Sequence, residues 1–182
     1  MEFPILSTIV FAPLLGILAI LLVPGQATGK IKSISLSATF VTFILVVITC
    51  LNFNPTQLGM QFVEKVPWIK TAGIDYHVGL DGISLPIFFL TSLLTLIVVI
   101  TSWRITYRVK GYFALLLLLE TAVLGIFVAL DLILFYFFWE LVLVPMYFLI
   151  SIWGGVRKDY AAIKFVIYTL LGSVVMLVGI LV

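Results

Sequence analysis

Residues 111–153 read GYFALLLLLETAVLGIFVALDLILFYFFWELVLVPMYFLISIW, and in these 43 residues only Glu120, Asp131 and Glu140 are charged. A helix crossing the hydrocarbon core of a bilayer uses about 20 residues. The stretch is too long for one such helix and suits two, with Asp131 at the turn between them. The spacing therefore predicts spans at about 111–130 and 132–153, a tight antiparallel pair. Both carry an acidic residue well inside the apolar run.

The rest of the chain has the same character. Of 182 residues, 64% are hydrophobic and 10% charged, and the mean hydropathy is +1.34. A water-soluble domain carries about 25% charged residues, so this chain has too few to coat a surface facing water. A soluble globule, a disordered segment, a secreted disulfide scaffold and a nucleic-acid-binding domain are all excluded as classes. Cys50 is the only cysteine, so no internal disulfide forms.

Working outward, four further apolar runs appear, at about 3–23, 34–51, 83–103 and 161–182. The first follows only Met1 and Glu2 and lacks the basic segment of a cleavable signal peptide, so it reads as a retained helix. Ser35, Thr39, Thr42 and Thr49 share one face of the second span, and Ser84, Thr91, Thr95 and Ser102 share one face of the third. Such hydroxyl stripes mark helix contacts in membranes. The only long polar stretch lies between these two spans. Within it Gln61–Ile69 and Ile74–Leu80 alternate weakly around Thr71, Ala72 and Gly73, a short extramembrane hairpin. Asp81, Gly82 and Ser84 supply turn and cap chemistry, and Pro86 suits a first helical turn. The predicted fold is all-α, with six transmembrane helices in a single membrane domain spanning residues 1–182. The last run is still apolar at Val182 with no aromatic or basic anchor, which predicts the front part of a longer protein.

With six spans the loops alternate sides. Lys30, Lys32, Arg104, Arg108, Lys110, Arg157, Lys158 and Lys164 fall on one side, and only Lys65 and Lys70 on the other. By the positive-inside rule the basic side is cytoplasmic, or the matrix or stroma of an organelle, and the N-terminus, the hairpin and Asp131 face outward.

Against that background the intramembrane charges stand out. An acidic residue at the centre of a spanning helix costs roughly 3 kcal/mol on insertion scales. Glu140 lies nine residues past Asp131 and Glu120 eleven before it, so both sit near the midplane. Tyr136, Tyr147 and Ser151 continue the face of Glu140. Pro145 interrupts it and frees the carbonyl of Leu141 inside the membrane, which is tolerated near polar groups or water. Intramembrane carboxylates commonly mark ion or proton pathways. The plainer alternative is a protonated carboxyl clasped to a neighbouring helix. For Glu120, surrounded mostly by leucine, the two readings are evenly matched. Lys164 lies about a turn into the sixth span with Tyr168, Gly172 and Gly179 on its face; it either takes part in charge transfer or snorkels to the interface. Asp131 has the position of a helix cap. His77, in the outer stretch, has no ligand cluster around it. No phosphate-binding loop or nucleophile–base pair is present.

The motif from Asp131 through Phe138-Trp139-Glu140 to Val144-Pro145, followed by Ile152-Trp-Gly-Gly and Tyr160-Ala-Ala-Ile-Lys164-Phe-Val-Ile-Tyr168-Thr, resembles the antiporter-like membrane subunits of respiratory complex I. Gly79-Leu-Asp81-Gly-Ile-Ser84-Leu-Pro86 is similar to the entry of that family's third helix. The resemblance runs along essentially the whole chain, and the Phe-Trp-Glu to Val-Pro helix is its specific part. It implies a proton-translocating subunit of the membrane arm of NADH-quinone oxidoreductase, in which Glu140 is the key intramembrane glutamate, Lys164 a lysine of the following helix and Asp131 the acidic residue at the preceding turn. Glu120 stands where the pattern is looser. No cofactor is implied in this chain; NADH, flavin, iron–sulfur clusters and quinone belong to other subunits. The implied partners are other membrane-arm subunits and the lipid bilayer, with no nucleic acid, and the implied location is the bacterial inner membrane or an organellar energy-converting membrane. Members of the family have about a dozen or more helices in two inverted repeats, so six helices correspond to the first part of such a fold. A subunit of a multi-subunit cation/proton antiporter and a structural membrane fragment without transport are the competing readings.

Overall fold

The computed structural model describes residues 4–57, 59–70 and 73–181; Phe3 and Val182, at the ends of the first and last predicted spans, and Thr71 and Ala72 of the predicted hairpin turn lie outside the described residues. The elements run α1 (Ile5–Leu22), α2 (Thr28–Asn52), β1 (Gln61–Ile69), β2 (Ile74–Leu80), α3 (Ser84–Thr101, extended by a 3-10 turn at Ser102–Arg104), α4 (Val109–Val128), α5 (Leu132–Trp153) and α6 (Lys158–Leu181). All six helices are long and apolar enough to cross a membrane, and the expected class, six spans with a hairpin between the second and third, is observed.

Helix α4 is the centre of the bundle and packs against α1, α2, α3 and α5, whereas α6 rests chiefly on α5. Two apolar clusters fill the interior. Towards the hairpin, Leu6, Ile9, Val46, Phe88, Leu124 and Phe138 pack with Val78 and Leu80 of β2. Towards the opposite end, Ile20, Ile31, Val99, Phe113 and Leu117 form the second cluster. Small residues set the closest approaches. A Cβ on Gly16 would lie 2.6 Å from the Cβ of Ala38, and one on Gly125 would lie 2.3 Å from the ring of Phe138. The α1–α2 and α4–α5 contacts thus depend on the missing side chains. The hydroxyls of Ser35, Thr39, Thr42 and Thr49 are fully buried, and each donates to a carbonyl one turn back along α2. This satisfies them without a partner on another helix.

The hairpin clasps one end of the bundle. Its strands pair antiparallel, with register breaks between Gln61 and Glu64 and between Pro67 and Ile69. Pro67 has no N–H to give the ladder. The Glu64 carboxylate accepts from the backbone N–H of Leu6 at 2.7 Å and from the N–H and hydroxyl of Ser7, which caps the otherwise unsatisfied N-terminus of α1. The Ser7 hydroxyl also meets the Tyr76 hydroxyl at 2.8 Å. Asn54 and Gln61 exchange hydrogen bonds of 3.0 and 2.7 Å and tie the hairpin to the end of α2. The N–H of Leu130 donates to His77 O at 2.8 Å, and Val78 bridges Ala129. This pairing draws Ala129 into extended backbone, so α4 ends at Val128, two residues before the predicted boundary.

The opposite end is held by lysines. Lys110 Nζ donates to the carbonyls of Leu21 and Val23 at 3.0 and 2.9 Å, Lys32 Nζ to Trp103 O at 2.6 Å, and Lys158 Nζ to Ile152 O at 2.9 Å. Each ammonium sits where an odd-numbered helix ends, supplying positive charge to the negative pole of the dipole. Helix α2 begins six residues before its predicted span, and α6 three before, because these lysines stand within the first turns rather than in the preceding loops.

Candidate intramembrane carboxylate site

Glu140 lies at the middle of α5, and Tyr136, one turn earlier, presents its hydroxyl beside the Glu140 carboxyl and beside Ser173 of α6. The Glu140 Oε1 is buried and has no hydrogen-bond partner among the described residues. Ser173 itself is buried and donates to Leu170 O at 3.0 Å. The α5–α6 seam therefore carries a carboxyl, a phenol and a hydroxyl in an otherwise apolar contact. The offset of four joins Tyr136 to Glu140 in the sequence, whereas nothing in the stripe on α5 points to Ser173. The signal available was its four-residue offset from Thr169 on the same helix.

The other candidates are placed differently. Asp131 is the N-cap of α5, its carboxylate accepting from the N–H groups of Ile133 and Leu134 at 2.9 and 3.1 Å. Pro145 is buried within a continuous α5, and Tyr147 is half-buried. Lys164 is exposed on α6, with its Nζ 5.7 Å from the ring centre of Tyr160, and Tyr168 beside it is 82% exposed. With Tyr136 set against Ser173, Glu140 falls level with about Thr169, so Lys164 lies five residues nearer the basic side, about 7.5 Å along the axis. Lys65 and Asp75 of the hairpin, at 3.0 Å, are the one ion pair among the described residues. Lys164 and Tyr168 line the exposed face of α6 and are not brought to Glu140.

Glu120 occupies a separate crevice. It is 1% exposed, and neither carboxyl oxygen has a partner among the described residues. It lines a cavity of about 210 Å³ between α3 and α4, together with Thr91, Thr95, Leu94, Val98 and Leu116. The two glutamates stand at similar depth but face different clefts.

The family described as "NADH:quinone oxidoreductase/Mrp antiporter, TM" matches residues 129–182, which hold Asp131, Glu140, Pro145 and Lys164. The chain is 44% identical to NADH-quinone oxidoreductase subunit M of Rhodobacter capsulatus, over 96% of its own length and 35% of that protein. It is 39% identical to subunit M of Rickettsia typhi, over 100% of this chain and 38% of that one. Among solved structures, a chain of respiratory complex I from Thermus thermophilus with bound NADH superposes with a TM-score of 0.81 at 30% identity, over 97% of this chain and 35% of that one. Over nearly its whole length the chain is similar to the antiporter-like membrane subunits of complex I. It spans about a third of the length of the relatives it matches. With six helices long and apolar enough to cross a membrane and a match to a transmembrane family, it is an integral membrane chain.

Proposed function

We propose that the chain is part of a proton-translocating membrane-arm subunit of NADH-quinone oxidoreductase, with Glu140 carrying the proton. The observation that carries this reading is the half-buried Glu140, whose Oε1 is buried without a partner among the described residues, beside a Tyr136 hydroxyl that also meets Ser173 at the α5–α6 seam. Carboxyls inside membrane spans commonly mark ion or proton pathways, and polar groups beside them give a proton places to stop. The cation that modulates Glu140 is assigned to a lysine on a later helix of the full-length subunit; Lys164 and Tyr168, on the exposed face of α6, are assigned to charge transfer toward the basic side, and Tyr136 and Tyr147 with the carbonyl freed by Pro145 are the polar groups supporting proton passage. Asp131 orients α5 as its cap. The chain supplies no redox group; NADH oxidation and quinone reduction are assigned to other subunits, which hold the flavin, the iron–sulfur clusters and the quinone. The positive-inside bias supports an orientation with the hairpin outside, and the bacterial relatives support a bacterial inner membrane as its location.

In the full-length subunit assembled in its complex, Glu140→Gln is expected to abolish most NADH-driven proton uptake by inverted vesicles while the complex still assembles. Unchanged uptake would refute the role. The family description also names Mrp antiporters, which favours a second reading as a cation/proton antiporter subunit. Proton flux driven by an imposed sodium gradient, without NADH, would support that reading instead.

A further inference from the structure

The α3–α4 crevice holds three oxygen groups whose hydrogens can be counted. The Thr91 hydroxyl donates to Ile87 O at 2.9 Å and the Thr95 hydroxyl to Thr91 O at 3.0 Å, so each oxygen turns only lone pairs outward. An ionised Glu120 would add only acceptors to the same cleft. No donor among the lining residues answers them, and a bare carboxylate in an apolar setting is strongly disfavoured. Helices α1 and α3 contain no titratable side chain; α2 contributes only Lys30 and Lys32 at one end and Cys50 near the other; α5 contributes Tyr136, Glu140 and Tyr147; and α4 itself carries Lys110 and Tyr112 near its start. None of these lines the crevice. The neighbouring Thr121 hydroxyl is buried and without a partner but does not line the crevice, so among the lining residues the donor these oxygens lack is a proton on the carboxyl itself. The cavity, about 210 Å³, has room for several waters and opens sideways past Leu94 and Val98, both exposed.

We infer that Glu120, Thr91 and Thr95 form a second proton-binding site in the α3–α4 crevice, distinct from the Glu140 seam, in which a neutral carboxyl donates to a threonine oxygen directly or through water and exchanges its proton with that water. The inference extends the proton-carrying reading but is tested without reference to pumping. The full-length subunit in its complex is studied by infrared spectroscopy in a Glu140→Gln background, which removes the other mid-span acid. A protonated-carboxyl stretch is expected at neutral pH, lost in Glu140→Gln/Glu120→Gln, moved to higher frequency when Thr91→Val and Thr95→Val remove the acceptors, and shifted on transfer to D2O. The absence of such a band, or a band that ignores the threonine changes, would overturn the site. A band that never shifts in D2O would make Glu120 a sealed structural acid and overturn exchange. Loss of the band on adding sodium would replace the proton with a metal cation. The D2O measurement needs no change at Glu120 or the threonines, so it stands even if those variants fail to assemble.

Discussion

Single carboxylates in this chain do opposite work according to the donors they meet. Asp131 has two backbone N–H groups to accept, and Asp81 has three donors: the N–H groups of Ile83 and Ser84 and the Ser84 hydroxyl, at 3.1, 2.7 and 2.7 Å. Both stand at helix starts, where negative charge is favoured. Glu120 has none and faces acceptors. Removing the cap with Asp131→Ala is expected to lower stability by about 0.5–2 kcal/mol, read as thermal unfolding in detergent, with Asp131→Asn close to wild type. A proton role for Asp131 would instead separate the two variants by activity and leave stability alone. Hydrogen bonds from the backbone and hydroxyl of Ser84 hold the Asp81 carboxyl below the usual aspartate range. Because the folded value is lowered, its stabilisation is complete above the ordinary aspartate pKa of about 4 and lost as the pH falls through the folded value. Amide exchange at Ile83 and Ser84 should quicken, relative to intrinsic rates, below about pH 4 in the native chain. In Asp81→Asn the pH dependence should vanish. These caps were legible because Asp and Ser before an apolar run have few other uses. The Glu64 cap on α1 was not, since a glutamate on an alternating strand reads as solvent-facing and its acceptor role depends on a contact between residues 57 and 58 positions apart.

At the scale of elements, hydropathy located all six helices because lipid demands long apolar runs, and it marked Glu140 and Glu120 because charge is so rare inside them. Their separation into two clefts was not legible. Period and offset give the face of a residue on its own helix, whereas the neighbour that face meets depends on how α4 is turned among four partners. The threonines show the same limit: Thr91 and Thr95 read as a packing stripe on α3, yet they line the crevice with Glu120. The turn of α4 against α5 is set in part by Gly125, over which the ring of Phe138 lies. Gly125→Val should therefore force the pair apart and destabilise the bundle by about 1–3 kcal/mol. Combining it with Phe138→Ala should recover part of that loss, by direct coupling of touching residues. Thermal unfolding of the single and double variants checks this, and strict additivity would mean the two side chains do not compete for the same space.

Across the whole molecule the two ends are built on different chemistry, and this gives the charge asymmetry a second meaning. On the hairpin side, helix starts are met by carboxylates; on the basic side, the ends of α1, α3 and α5 are met by Lys110, Lys32 and Lys158. The count of eight basic residues against two predicts orientation by the positive-inside rule. It does not reveal that three of the eight are also helix caps, because each lysine reaches the end of a helix other than its own. The two roles separate by experiment. Lys110 bridges two carbonyls of the α1 terminus from a half-buried position, whereas Arg108 is exposed and lies over the Tyr107 ring at 5.3 Å. Each substitution to Gln removes one positive charge from the same end of α4, so each should perturb topology equally little. Hydrogen bonds from a charged donor contribute about 1.5–3 kcal/mol, so Lys110→Gln should lower the unfolding free energy by about that amount and loosen α1 from α4. Arg108→Gln should cost less than about 1 kcal/mol. Unfolding in lipid nanodiscs measures the difference. Labelling of Arg157→Cys, with Cys50→Ser, reports the side of the membrane and should give the same side in both variants as in the parent. Equal stability losses in the two variants would mean that the lysines act through loop charge alone and that the caps hold nothing together.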